Sequence, residues 1–304
     1  MKTLALAAAA ALSLSAAAFA APVQPLPRAH AHNDYEHERP LFDALDHGFT
    51  SVEADIWLVD GEFLVAHDDW ALDPSRTLKS LYLDPLRDLI AANGGSVYGE
   101  GTPLNLLIDV KSEAVAAWSA LDGLLAEYSD VFTAFSKTDG RSEGAVTAHI
   151  SGNRDYEAMK NDDLRYAGYD GRASDLESGE PLDPNLITMV SNNWTSLFDW
   201  NGSGEFSAED EAFLADYVSR VHENGQIVRF WATNDTPGDA RDALWAKLVQ
   251  HNVDLINTDD LAGLQSFLLE NDQPQPAPVP LPAGVWLLGG SLALIAGLRR
   301  RRRA

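Results

Sequence analysis

The chain has no cysteine at all. Thiol catalysis, cysteine-ligated zinc and iron–sulfur clusters are thereby excluded, and the fold must be held by its core rather than by disulfides. Basic residues are also scarce: 22 Lys and Arg stand against 46 Asp and Glu, for a formal net charge of −24. A chain this acidic repels nucleic acid phosphates and anionic membranes, so no nucleic acid partner is expected, while divalent cations are tolerated. There is no internal repeat and no Gly-rich phosphate loop after the first candidate strand. Nor is there an uninterrupted apolar run of the ~20 residues that a membrane-spanning helix needs.

The two ends differ from the rest. Residues 1–20 carry Lys2, an apolar and small-residue run from Leu4 to Phe19, and the small-x-small pattern Ala18-Phe19-Ala20, which predicts a signal peptide. Residues 273–282 are rich in proline and read as a linker. Residues 283–304 hold an apolar segment followed by five arginines, Arg299 to Arg303. The stretch Val279-Pro280-Leu281-Pro282-Ala283 with this tail resembles the VPLPA-type sorting signals of Gram-negative bacteria. That resemblance implies a sorting protease or transpeptidase as partner, and an exported protein, secreted or held at the cell envelope or surface of such a bacterium. The plainer alternative is a single-span anchor. Between the ends, residues 21–272 are long enough for one large domain.

Within that domain, short β-branched apolar runs predict strands at 28–32, 51–58, 104–110, 145–151, 164–169, 186–192, 226–231 and 254–257. Helical patterns fall between them at 40–47, 83–92, 114–128, 156–161, 208–224, 240–250 and 261–270. Phe213, Tyr217, Val218 and Val221 form an apolar stripe that should face the core. Eight strands alternating with helices predict an α/β fold of the (β/α)8 TIM-barrel type. Residues 62–66, after Asp60-Gly61, are expected to fold back as a hairpin beside the second strand.

In such a barrel the active site lies at the C-terminal ends of the strands. The polar residues there form a series. His30-Ala31-His32-Asn33 closes the first strand, Glu53-Ala54-Asp55 lies on the second, His67-Asp68 follows the hairpin, and Asp109-Val110-Lys111 closes the third. Residues two apart on a strand share a face, so Glu53 converges with Asp55, and Asp109 with Lys111. Carboxylates meeting at one point repel unless a cation lies among them, and all-oxygen ligands favour Mg2+ or Ca2+ over zinc. Taken singly, each piece has a plainer reading as a salt-bridged strand edge, a turn or an ion pair. Their occurrence at successive strand ends points to a site. Trp231, Asn234, Asn192 and His149 also fall near strand ends, and His30 is expected to be a hydrogen-bonded structural residue.

These residues carry a family resemblance. His32-Asn33-Asp34-Tyr35 with Pro40, Ala44 and Gly48, then Ser51-Val52-Glu53-Ala54-Asp55, His67-Asp68 and Asp109-Val110-Lys111, resemble the phospholipase C-like phosphodiesterase superfamily. That superfamily includes glycerophosphodiester phosphodiesterases and spider-venom type phospholipases D. The nearest branch is the one named after the fungal altered inheritance of mitochondria protein 6, and the likeness extends through Arg229-Phe230-Trp231-Ala232-Thr233-Asn234 and Asn257-Thr258-Asp259. It implies a phosphoric diester hydrolase in which Glu53, Asp55 and Asp109 hold one divalent ion and His32 and His67 move protons. Lys111, Asn33, Trp231 and Asn234 would then contact a phospholipid-like or glycerophosphodiester-like substrate. One departure stands out. Glycerophosphodiester phosphodiesterases usually place arginine directly after the first histidine and glutamate after the proline, where this chain has Asn33 and Leu41. The phosphate grip therefore falls to Lys111 or elsewhere.

Two other readings compete. His30-x-His32 also opens the zinc sites of amidohydrolase-type and polymerase-and-histidinol-phosphatase barrels, which need further histidines on later strands; here only His149, on the fourth, is offered. The other is a surface-displayed binding barrel without catalysis.

Overall fold

The structure, a computed structural model, describes residues 23–99, 101–177 and 182–272. The expected leader, proline-rich linker and apolar tail, 1–20, 273–282 and 283–304, lie outside the described residues. No helix among the described residues is long and apolar enough to cross a membrane.

Eight parallel strands close into a barrel. They are β1 (Leu26–Ala31), β2 (Phe49–Val59), β3 (Leu104–Val110), β4 (Val146–Gly152), β5 (Ala167–Gly171), β6 (Ile187–Asn193), β7 (Ile227–Trp231) and β8 (Leu255–Thr258). Each pairs with its sequence neighbours, and β1 pairs with both β8 and β2, so the sheet has no open edge in the ring. The hairpin strand Glu62–Val65 lies antiparallel along β2. Among the described residues eight α-helices decorate the ring: α1 (Phe42–Asp46), α2 (Asp84–Ala92), α3 (Ala114–Ala126), α4 (Tyr156–Asn161), α5 (Ala173–Glu177), α6 (Ala208–Glu223), α7 (Asp239–Gln250) and α8 (Leu261–Asn271).

The period-2 alternation of a strand explains how one sequence builds both a core and a site. On β2, Val52, Ala54 and Ile56 join the apolar layer under the helices, and on β3 so do Leu106, Ile108 and Val110. The alternate residues point into the barrel. Leu107, Met189 and Leu255, with Ile227 against them, form a separate apolar plug inside the ring. The register then places Asp55, Asp109 and Ser151 side by side across β2, β3 and β4, beyond the plug toward the C-terminal ends.

Three local features depart from the sequence reading. The strand expected at 164–169 is broken at Tyr166: Leu164–Arg165 leaves the barrel to pair with Ala134–Ser136, and only Ala167–Gly171 stays in the ring. The strands Ala134–Ser136 and Gly140–Ser142 form a small hairpin in a stretch to which no element was assigned, joined through Asp139-Gly140 with Gly140 at φ +77°. A short helix, α5, follows β5 where none was expected.

Candidate active site

A cavity of about 230 Å3 opens at the C-terminal mouth of the barrel, lined among others by His32, Glu53, Asp55, His67, Asp109 and Lys111. These are residues from β1, β2, the hairpin and β3, brought together by the register above. Asn33 and Trp231 also line it, whereas Asn234 does not. Asn234 is tied to its own loop and to the one after β6, accepting from the Thr236 amide at 3.1 Å and donating to the Asn201 carbonyl at 3.1 Å. Two turns at the rim hold non-glycine residues at positive φ, Asn33 at +48° and Ala232 at +55°, which swing the chain away directly after His32 and Trp231.

The three carboxylates offer oxygens that lie within 4.8 Å of one another. Each is already engaged on one side. Glu53 Oε2 accepts from Arg229 at 2.6 Å and from His30 Nε2 at 3.2 Å. Burial opposes ionisation of Glu53, but the Arg229 guanidinium and the His30 contact outweigh it and hold the carboxyl well below the usual range. Asp55 Oδ2 accepts from Tyr35 Oη at 2.8 Å and His67 Nδ1 at 2.8 Å, with Lys111 Nζ at 3.0 Å. Asp55 Oδ1, fully enclosed, has no hydrogen-bond partner among the described residues. Asp109 Oδ1 lies 3.3 Å from Lys111 Nζ. Burial raises the Asp109 carboxyl to about 6; Lys111 pulls it down, and Asp55 and Glu53 push it up.

An orphaned buried carboxylate oxygen is costly unless something satisfies it. Asp55 has two other acidic groups within reach, and a cluster of this kind fits a hard divalent cation, so these residues can hold an ion. The cluster is all oxygen, and no other group of three or more potential ligands gathers among the described residues. The histidines of the zinc reading do not converge. His30 is wholly buried between Ser51 and Glu53 and is lowered to about 3 by burial and Arg229, so it stays neutral. His149 sits deeper in the barrel, bonded to Thr188 and Asn105, and burial lowers it to about 4.

The two histidines that line the cavity share one arrangement. His32 Nδ1 lies 2.7 Å from Asp259 Oδ1, and His67 Nδ1 lies 2.8 Å from Asp55 Oδ2. A carboxylate beside Nδ1 favours a proton there, and in that tautomer Nε2 of each ring is left for a substrate. Burial disfavours protonated His32, but Asp259 and Glu53 outweigh it and raise the imidazole above its ordinary value.

Several contributors went unread in the sequence. Arg229 is buried on β7, two residues before Trp231 and therefore on the same face; that spacing was the available signal. Arg229 and Asp259 alike were noticed only as parts of familiar stretches, with no role given to either. Arg172 and Ser151 also line the cavity.

A closed parallel barrel with three carboxylates and two carboxylate-held imidazoles at its C-terminal mouth has the layout of a phospholipase C-like phosphodiesterase barrel. The profile of the AIM6-like phosphodiesterase domain matches residues 17–170, and the chain belongs to that family. It is 29 % identical over 265 residues to altered inheritance of mitochondria protein 6 of Eremothecium gossypii, covering 77 % of this chain and 68 % of the relative. The Arthroderma benhamiae homolog is 27 % identical over 263 residues, 77 % of this chain and 82 % of that one. A solved glycerophosphoryl diester phosphodiesterase from Parabacteroides distasonis is a distant likeness, at TM-score 0.44 and 14 % identity over 86 % of this chain and 91 % of the other. The named sequence relatives are fungal, which points to a eukaryotic setting and overturns the expected placement at the envelope or surface of a Gram-negative bacterium.

Proposed function

We propose that the chain is a divalent-metal-dependent phosphodiesterase that cleaves a phospholipid-like or glycerophosphodiester-like diester with His32 and His67 as its proton-transfer groups. The observation that carries this reading is the pairing of each imidazole with a carboxylate beside the acidic triad, His32 with Asp259 and His67 with Asp55 of the triad itself. Glu53, Asp55 and Asp109 would hold the ion, Mg2+ or Ca2+ by the oxygen donor set. Bound there, such an ion supplies Lewis-acid polarisation of a phosphoryl oxygen.

The protein groups divide the remaining work. One imidazole takes the proton of the attacking hydroxyl at Nε2 as the new P–O bond forms, and the other gives a proton to the departing alkoxide as the old P–O bond breaks. Asp55 and Asp259 steady the resulting imidazolium charges. Lys111 stays protonated: burial counts against its charge, but Asp109 and Asp55 raise its pKa above the ordinary value. It offsets the negative charge that a diester brings to an already acidic cavity.

The test is cleavage of bis-p-nitrophenyl phosphate and of a lysophospholipid, followed by phosphorus NMR. Turnover that needs Mg2+ or Ca2+, stops with EDTA and falls in His32→Ala supports the proposal. No turnover of any diester with either ion would sink it, and would favour a binding barrel.

A further inference from the structure

Three cations line the cavity: Lys111, Arg172 and Arg229. Two are spent on the acidic triad. Lys111 Nζ lies between Asp55 and Asp109, and Arg229 is buried against Glu53 and Asn257. Arg172 is different. It follows directly after β5, touches none of the three triad carboxylates, and keeps about a quarter of its side chain exposed, at 26 %.

Its guanidinium is nevertheless fixed. Nη1 donates to Asp170 Oδ2 at 2.7 Å, to the Gly171 carbonyl at 2.9 Å and to Ser191 Oγ at 3.2 Å, and Nη2 donates to Ser151 Oγ at 3.1 Å. Asp170 itself is fully buried and further pinned by Ser151 Oγ at 2.7 Å, Ser191 Oγ at 2.6 Å and the Ser191 amide at 3.1 Å. These contacts use the end of the fork. The side edge is freer: Nε donates to nothing among the described residues, and Nη2 donates only to Ser151 Oγ. A guanidinium presents two parallel N–H groups along such an edge, the geometry that matches two oxygens of a phosphate. The location agrees: Ser151, which holds Nη2, is the register neighbour of Asp109 on the adjacent strand. A diester phosphate resting on the triad thus has Arg172 two strands beyond Asp109 round the mouth.

We propose that Arg172 is the phosphate clamp of this site, binding non-bridging oxygens of the scissile diester through its side edge, with Asp170 as the positioning residue that aims it. The proposal rests on the phosphodiesterase reading and names the anion grip that the sequence left open at Asn33.

The experiment compares wild type, Arg172→Gln and Arg172→Lys with Mg2+ present. It reads KM and kcat for bis-p-nitrophenyl phosphate, whose sole anionic group is the phosphate, and for lysophosphatidylserine, whose head group carries a second one. Inorganic phosphate binding is followed by calorimetry alongside. The expected result for Arg172→Gln is a KM raised on the order of tenfold to a hundredfold on both diesters, with weaker phosphate binding by a similar factor. Should the glutamine variant fail to fold beside the buried Asp170, Arg172→Lys keeps the charge but not the fork, and still raises KM and weakens phosphate. Unchanged KM and phosphate affinity in both variants of a wild type that turns over would overturn the clamp alone. A loss confined to lysophosphatidylserine would overturn it too, by making Arg172 a head-group reader. Absent turnover in wild type would sink the phosphodiesterase reading instead, and phosphate affinity that depends on Arg172 would still uphold the anion site.

Discussion

His32 Nδ1 lies 2.7 Å from Asp259 Oδ1, a contact between residues 227 positions apart that joins the end of β1 to the loop after β8. The closure of the barrel makes this pair possible, because β1 and β8 are neighbours only in the ring. Asp259 beside Nδ1 favours the tautomer that leaves Nε2 for a substrate. Replacing His32 by Ala is expected to lower kcat about 10²–10⁴-fold, the usual worth of a positioned acid or base. Asp259→Asn should lower kcat by less, with little change in KM, because it disturbs the tautomer rather than removing the ring. Steady-state kinetics on both variants checks this; an Asp259→Asn enzyme with unaltered kcat would contradict it.

Gly152 ends β4 at φ +68°, and a β-carbon there would collide with Asp109 Oδ1 and the Val110 carbonyl. Gly152→Ala is therefore expected to displace the Asp109 carboxylate. Overpacking of this kind costs about 1–3 kcal/mol. Denaturant unfolding should show that loss, and divalent-ion titration should show weaker binding.

Arg229 and Glu53 form a buried ion pair at 2.6 Å, with both side chains under a tenth exposed. Removing one partner leaves an uncompensated buried charge, which typically costs about 3–5 kcal/mol. Arg229→Met should lower stability by that order, measured by urea unfolding at neutral pH.

Asp34 gives a pH dependence of definite sign. Burial raises its carboxyl from 3.8 to about 6, against the opposing hydrogen bonds from the Leu41 amide and Tyr82. The folded chain therefore keeps a proton that the unfolded chain has lost. Stability from this group is full below about 3.8 and is lost as pH rises through about 6. Both hydrogen bonds fall on Oδ2, and Oδ1 has no partner among the described residues. Asp34→Asn keeps one acceptor for both donors and removes the charge. The variant should gain on wild type at pH 8 by up to about 3 kcal/mol and lose that advantage by pH 4. Urea unfolding at the two pH values measures it.

The sequence showed much of this through period-2 patterning. β3 runs from Leu104 to Val110 as expected, because its outward residues are Leu106, Ile108 and Val110 and its inward ones end in Asp109. The same alternation singled out Glu53 with Asp55. It fell short where a residue's role depends on a partner from a distant strand. Arg229 is explained only by Glu53 across the barrel, Asp259 only by His32, and Arg172 only by Ser151 and Ser191 on flanking strands. Asn234 shows the converse, since proximity to a strand end in sequence did not bring it into the cavity. The Ala134–Ser136 hairpin was hidden because its strands are 3 residues each, too short to show alternation, although Asp139-Gly140 carried the turn signal.

The most direct measurement is calorimetric titration of the metal-stripped protein with Mg2+ and with Ca2+, repeated on Asp55→Asn. One ion per chain, lost or strongly weakened when the asparagine replaces the unpartnered buried oxygen, is the predicted result. Failure of either ion to bind at millimolar concentration, or binding that Asp55→Asn leaves intact, would contradict it.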